Sequence, residues 1–294
     1  MKGDKLNGWI FIMPAVIIIG IFCIFASVFA VYMSFNKVNM FTGTYTFVGF
    51  ENYARLFSDP KVGIAFKNAL SFAVVVVPIQ TFLAMLMANV LNSKIKFKKG
   101  LRIVYFLPTL TSSSALTLIF MFMFSVTGPI NGLLTSVGVI TEPINFLNDS
   151  AFALKVIMCM NIWSTVPVFM TIYLAALADI PKSVYEAADI DGAGAIKQFF
   201  KITIPQLRNV TSYVVLVGII GTLQMFDQAF IFSNGSGGPE NSTLTPALLV
   251  YNNAFGTMNT MGYASSIAIS LSLMIFMAAM VSNKLTKANK GVDE

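Results

Sequence analysis

The chain has no histidine among its 294 residues, and only two cysteines, two tryptophans and 11% charged residues. Without imidazole, histidine-based acid–base catalysis and most transition-metal sites are excluded. Cys23 and Cys159 each lie inside a long apolar run. They read as packing residues, not as a disulfide or a metal pair. No G-x-x-x-x-G-K-[ST] occurs, so the chain has no sequence of its own with which to cradle nucleotide phosphates. No apolar run holds a pair of carboxylates or a Ser–Lys pair, which leaves no enzymatic constellation within one.

What the chain has is apolar surface. It is 56% hydrophobic, with 27 Phe and 17 Met, and its mean hydropathy is +0.76. Charge is missing from Leu6 to Asn36, Asn68 to Ser93, Ile103 to Thr141, Val156 to Ala178, Asn209 to Phe226 and Asn241 to Asn283. A helix needs roughly 20 apolar residues to cross the hydrocarbon core. The runs predict an all-α polytopic membrane protein with six transmembrane helices at about 9–35, 66–92, 102–126, 152–178, 208–232 and 262–283. The first run is too long for a signal-peptide core and no A-x-A site ends it, so it reads as a retained helix with Trp9 at the inner interface.

Lys and Arg placement predicts the orientation. With the N-terminus inside, Lys2, Lys5, Lys94, Lys96, Lys98, Lys99, Arg102, Lys182, Lys197, Lys201, Arg208, Lys284, Lys287 and Lys290 face the cytoplasm, 14 of the 19 basic residues. Lys37, Arg55, Lys61, Lys67 and Lys155 face out. Positive residues concentrate on the cytoplasmic side. Both termini and the 179–207 loop are therefore expected in the cytoplasm. The net charge of +6 follows from this topology and does not mark a nucleic-acid surface.

The outer segments carry turn signals at Phe41-Thr-Gly43, Gly49 and Asp59-Pro60, then at Gly128-Pro129, Gly132 and Glu142-Pro143. Val48–Phe57 is expected to form a short amphipathic helix at the outer surface, and 127–151 a short re-entrant or surface helix. Ser233-Asn-Gly-Ser-Gly-Gly-Pro239 reads as a flexible outer turn, since no Lys-Ser or Lys-Thr follows its glycines. Asn241-Ser-Thr matches a glycosylation sequon by chance.

Between the fourth and fifth spans lies a polar, Gly-punctuated loop that such an apolar chain gains nothing from unless something outside the bilayer reads it. Pro181 favours a helix start just after it. Val184, Ala187, Ala188, Ala195, Ile196, Phe199 and Phe200 recur at rough 3- and 4-residue spacing, interrupted by Gly192-Ala-Gly194. The pattern predicts two short helices at an angle, with Pro205 ending the second. A dinucleotide site is not supported, because no strand precedes the glycines and the third is missing. A plain interfacial helix pair and a docking knob for a soluble partner remain.

Glu186-Ala187-Ala188, Gly192, Ile202 and Ile204-Pro205 resemble the EAA loop of binding-protein-dependent ABC importer permeases, with Ile204 in place of the usual Leu. Six of the seven positions agree over 20 residues, and the seventh is a volume-conserving change. Gly49-Phe-Glu-Asn-Tyr53, Leu56-Phe-Ser-Asp-Pro60, Phe226-Asp227 and Asn234-Gly-Ser-Gly-Gly-Pro239 look like the carbohydrate branch, in the six-span short form of the MalF-like permeases. The resemblance implies one transmembrane permease domain over 1–294, with a core transport fold at about 66–284 preceded by the 9–35 helix. The 179–207 loop would be the cytoplasmic coupling helix. It implies a bacterial inner-membrane subunit that works with a second homologous permease, two ATPase subunits and an external sugar-binding protein. The chain would bind no cofactor, ATP and Mg being used by the ATPase. Glu186 would be a polar anchor, Ala187 and Ala188 would permit close packing, and Gly192 would set the bend.

Buried polar groups in spans are costly and mark candidate paths. Asn161, Trp163, Gln224, Phe226 and Asp227 form the best group, joining aromatic faces to amide and carboxylate partners for sugar hydroxyls. Interhelical hydrogen bonding or packing would also explain them. Spans three to six hold no Lys or Arg in their cores, which favours a neutral sugar or oligosaccharide. A proton-coupled secondary sugar carrier is the alternative. It needs intramembrane acids or histidines, and only Asp227 is available. A channel would leave the EAA loop unexplained.

Overall fold

The computed structural model describes residues 2–39, 42–93, 98–256 and 260–288, with the backbone alone for 2–10, 39, 98–99, 101–102 and 285–288. Phe41, Lys94, Lys96 and Lys290 fall outside the described residues, as do the side chains of Lys2, Lys5, Trp9, Lys98, Lys99, Arg102 and Lys287. In chain order the elements are α1 (Lys2–Ile19), a π-turn (Gly20–Phe25), α2 (Ala26–Ser34), β1 (Asn36–Asn39), β2 (Thr44–Phe47), α3 (Glu51–Ser58) and α4 (Pro60–Asn92). Then follow α5 (Lys98–Leu110), α6 (Ser113–Met123), α7 (Pro129–Ser136), α8 (Ala153–Ala178), α9 (Lys182–Ile190) and α10 (Ala195–Gln198). A second π-turn (Phe199–Thr203), α11 (Ile204–Gln206), α12 (Arg208–Leu223), α13 (Asp227–Ser233), α14 (Pro246–Tyr251), a third π-turn (Asn252–Gly256) and α15 (Met261–Ala288) complete the chain.

Among the described residues, five segments are long and apolar enough to cross a membrane: Phe11–Ser34, Pro60–Asn92, Ala153–Ala178, Arg208–Ser233 and Met261–Lys284. The span predicted at 102–126 is not one helix. It is a pair, Ile103–Leu110 and Ser113–Met123, bent by 108°. Ser112 adopts an extended conformation and its hydroxyl accepts from the Ala115 N–H at 3.3 Å, starting a new helix where the old one would have continued. The fifth span is also interrupted, at Gln224–Phe226 between α12 and α13.

The chain divides into two compact units, 1–63 with 249–273 and 64–248 with 274–294. In the first, β1 and β2 form an antiparallel hairpin pairing Asn36 with Phe47 and Val38 with Tyr45. This is an exception to the all-α expectation. Tyr53 and Ser34 share a hydrogen bond at 2.8 Å, and the Asn52 amide donates to the Ser34 and Asn36 carbonyls at 2.8 and 3.1 Å. Tyr263 at the head of α15 donates to Asp59 at 2.8 Å, and the Arg55 guanidinium lies 4.0 Å above its ring.

In the second unit, Ala84, Met85, Ala88 and Leu91 of α4 pack with Val166, Phe169, Met170, Tyr173 and Leu177 of α8. Phe199, Leu207 and Val214 join the same core, so the loop after α9 is rooted in the bundle. The glycine-rich segment read as a flexible turn is instead tied down. The Asn68 amide donates to the Asn241 and Leu244 carbonyls at 2.8 and 3.0 Å, and the Thr243 and Thr245 hydroxyls donate to Gly238 and Met225 at 2.8 and 2.9 Å. These side chains meet backbone carbonyls of the segment, and nothing in the glycine pattern announces a partner 173 and 176 residues upstream.

The connection before α8 is pinned by Asn131, which is buried. Its amide donates to the Ser125 and Ile144 carbonyls, each at 2.9 Å, and its oxygen accepts from the Ile144 N–H at 2.8 Å. Asn131→Leu strands the Ile144 N–H and carbonyl, while the Ser125 carbonyl keeps the Gly128 N–H at 2.9 Å. It is expected to cost about 2 kcal/mol, at about 1 kcal/mol per unpaired group, read as a lower thermal midpoint in detergent.

Candidate functional site

Two regions gather the polar residues that the spans do not need. The first is the loop around α9. Pro181 occupies the position before α9 with φ −59° and ψ 133°, a conformation that opens a helix, as the sequence predicts. At the other end Gly192 takes φ +72°. Its N–H donates to the Asp189 carbonyl at 3.1 Å, and the next N–H, of Ala193, reaches back to Ala188 at 2.9 Å. This is a left-handed glycine cap, which satisfies carbonyls that the helix end would otherwise leave open. The Gln198 amide spans the bend, donating to Asp189 Oδ1 at 2.6 Å and to the Ala193 carbonyl at 2.8 Å. Tyr185 and Thr203 close the loop with a hydroxyl pair at 3.1 Å.

Glu186, Ala187 and Pro205 are exposed, Ala188 is buried, and Ile202 and Ile204 are half-buried. The apolar spacing read from the sequence does not all point inward. Phe199 is buried, whereas Ile196 and Phe200 are exposed, and Ile190 beside them is exposed as well. Pro205 does not end the second helix. The chain stays helical from Ala195 through a π-turn to Gln206 and breaks at Leu207. Widening the turn moves the carbonyls that the proline ring would strike.

The second region is a pair of adjoining pockets. One, of about 220 Å³, is lined by Ser113, Asn161, Gly221, Gln224, Phe226, Asp227 and Gln228 among others. The other, of about 240 Å³, adds Thr109, Thr111 and Ser164 and shares Ser113 and Gln228. Two breaks create this concentration: the bend before α6 presents Ser113, and the interruption between α12 and α13 presents Gln224 to Gln228. The Asn161 amide donates to Gln228 Oε1 at 3.3 Å, while its own Oδ1 is buried with no partner among the described residues. The Thr165 hydroxyl, one turn on, lies 2.7 Å from both the Asn161 carbonyl and the buried Gln80 Oε1, with one proton to donate between them.

Of the predicted path residues, Asn161, Gln224, Phe226 and Asp227 come together. Trp163 does not join them. It is half-exposed and its ring lies 5.6 Å from that of Phe120. Two residues along a helix from Asn161, it points about 200° away. The sequence reading missed Gln228, Ser113, Thr109, Thr111, Ser164 and Gln80. Gln228 was signalled by its place beside Asp227 in an otherwise apolar stretch, and the hydroxyls by the cluster Thr111-Ser-Ser-Ser114. The pockets hold amides, hydroxyls and one carboxylate, and among the described residues no Lys or Arg lines them. Such a surface can exchange hydrogen bonds with a polyhydroxylated, uncharged solute. Among the described residues no three Cys, Asp or Glu side chains converge as a metal site.

Residues 80–286 match the model of the binding-protein-dependent transport system inner membrane component family. The chain is 37% identical to the lactose transport system permease protein LacF of Rhizobium radiobacter over 275 residues, covering 92% of this chain and 90% of that protein. It is 32% identical to the arabinooligosaccharides transport system permease protein AraP of Halalkalibacterium halodurans, covering 100% of this chain and 92% of that one. Among solved structures, a chain of a bacterial alginate ABC transporter in complex with an alginate pentasaccharide-bound periplasmic protein superposes with a TM-score of 0.85 at 19% identity, covering 98% of this chain and 96% of that chain. That likeness concerns the fold.

Proposed function

This chain belongs to the family of binding-protein-dependent transport system inner membrane components, a multi-pass membrane permease, and we propose that it carries neutral sugars or oligosaccharides inward as one half of an ATP-driven importer. Its partners are a second homologous permease, two ATPase subunits that use ATP and Mg, and an external sugar-binding protein. Its termini and the α9 loop lie in the cytoplasm. The chain has no nucleotide-cradling sequence, so the energy must arrive through a surface contact.

The observation that carries this reading is the build of the α9 loop. It is exposed at Glu186, Ala187, Ile190 and Ile196, rigidly capped at Gly192, and rooted in the bundle through Phe199 and Leu207. A rigid knob joined to the core transmits a push, whereas a floppy loop absorbs it. Closure of the ATPase pair would carry α9 with it and rock the spans. In the path, Asn161 Oδ1, Gln224, Asp227 and Gln228 would take up sugar hydroxyls, which need partners once they leave water.

The test is uptake of labelled sugar by cells treated with a protonophore while their ATP is maintained. Persistence supports the importer, and loss would favour a proton-coupled carrier. Asp227→Asn and Asn161→Ala are each expected to lower uptake about tenfold, the worth of one good hydrogen bond of ~1.4 kcal/mol. Trp163→Ala, outside the pockets, is expected to lower it less. Normal uptake by both pocket variants at normal protein levels would sink the assignment of the path.

A further inference from the structure

We propose that α3 and the hairpin beside it form a lipid anchor in the headgroup layer of the leaflet opposite the N-terminus. The contact is with lipid, through Phe47, Phe50, Ala54 and Phe57. It goes beyond the transport reading and depends only on the chain crossing a membrane.

Three features of the first unit point there. The level of α3 comes first. Tyr53 bonds Ser34 at 2.8 Å, and the Phe50 ring meets Phe35 edge-on at 5.4 Å. Ser34 is the last residue of the span Phe11–Ser34, so α3 lies beside the point where that span leaves the hydrocarbon.

Second, α3 has three sectors where a helix on a soluble surface has two. At 3.6 residues per turn, Asn52, Tyr53, Leu56 and Asp59 share one side and are the residues of this stretch that are buried or half-buried. Glu51, Arg55 and Ser58 share another and are exposed and polar. Phe50, Ala54 and Phe57 fall within roughly 60° of each other, between these sectors. The two phenylalanines are 74% and 88% exposed. A water-facing helix has no use for an exposed aromatic stripe set apart from its core face by roughly 130°. A helix lying at a bilayer surface needs one side toward protein, one toward lipid and one toward water.

Third, the aromatic residues continue onto neighbouring elements. Tyr45 of β2 sits 6.4 Å from Tyr32 in the last turns of the span, Tyr32 stacks on Phe29 at 6.2 Å, and Phe47 at the end of β2 is 75% exposed. Tyr and other amphipathic rings gather at this depth of a membrane protein. The belt is continuous with the apolar surface of the span, whose most apolar window is left unburied by the described residues. Lipid is therefore its occupant.

The experiment places a tryptophan in each sector of the protein reconstituted in liposomes, as Phe57→Trp, Phe50→Trp and Ser58→Trp. The native protein, with its two tryptophans, serves as the emission baseline. The quenchers are a lipid with a nitroxide near the top of the acyl chain and aqueous iodide. Trp at 57 and 50 is expected to be quenched at least about twice as strongly by the lipid nitroxide as by iodide, in keeping with burial 5–10 Å into the headgroup boundary. Trp at 58 is expected to show the reverse. Iodide reaching position 57 as readily as 58 overturns the proposal. Neither quencher reaching 57 also overturns it, because a protein then covers the stripe. Both outcomes leave the reading of the α9 loop untouched, since that loop is tested by uptake.

Discussion

Gly192→Pro is expected to lower sugar uptake about 100-fold while the protein still accumulates in the membrane. The argument is local. Gly192 sits at φ +72°, and proline is confined near −65°. The substitution also deletes the N–H that donates to Asp189 at 3.1 Å, and it pulls Ala193 away from the Ala188 carbonyl. Two cap bonds and the turn are lost together, at about 3 kcal/mol, which corresponds to about 100-fold in the population of the capped loop. Nothing lies within 4 Å of a Cβ at this position, so the effect is one of backbone conformation and not of crowding. On the proposed coupling role, α9 then no longer points where the ATPase meets it, although Phe199 and Leu207 still hold the following segment in the core. Asn tolerates the left-handed region and keeps the N–H, so Gly192→Asn should retain much of the activity. Gly192→Ala should fall between, at a strain of about 1 kcal/mol. Uptake and sugar-stimulated ATPase, normalised to membrane protein, provide the comparison. A proline variant with normal uptake would remove the coupling role from this bend.

What the sequence revealed and what it hid follow from how each feature writes itself. Apolar runs announce spans, because a helix in lipid must be apolar on nearly every side. The break before α6 left no such mark. Residues 103 to 141 carry no charge, and Thr111-Ser-Ser-Ser114 is neutral enough to pass for the middle of a span. The bend rests on one serine cap, which periodicity does not register. The hairpin was hidden by its length, since four residues are too few for alternation to stand out. In the pocket, Gln224 and Asp227 were legible as polar residues in an apolar run. Trp163 was misplaced by composition, although its spacing argued otherwise. Asn161 and Thr165 share a face at i, i+4, and a residue two along does not. Gln80 could not be reached by local reasoning, because its partner Thr165 is 85 residues away.

Gly262→Ala is expected to cost about 3 kcal/mol or more, the upper range for overpacking, and to be the most damaging methyl addition at any described glycine of the first unit. A Cβ there would fall on the Asn36 carbonyl oxygen and come within 2.9 Å of the Met33 carbonyl oxygen. Both obstacles are backbone, so neither can swing aside as a side chain would. The Asn36 carbonyl is further fixed by the Asn52 amide at 3.1 Å, and the Asn36 side chain is tied to Tyr32 at 2.6 Å. The helix α15 would have to withdraw instead. The next residue is Tyr263, so withdrawal would also strain the Tyr263–Asp59 bond and the stacking of Arg55. Gly63 provides the contrast. It lies inside α4 with nothing within 4 Å of its Cβ, so Gly63→Ala should stabilise by about 0.5–1 kcal/mol through helix propensity alone. Thermal unfolding of the two variants in the same detergent should therefore move in opposite directions. Equal midpoints for Gly262→Ala and the native chain would show that α15 does not seat against the exit of the first span in the way the carbonyl contacts require.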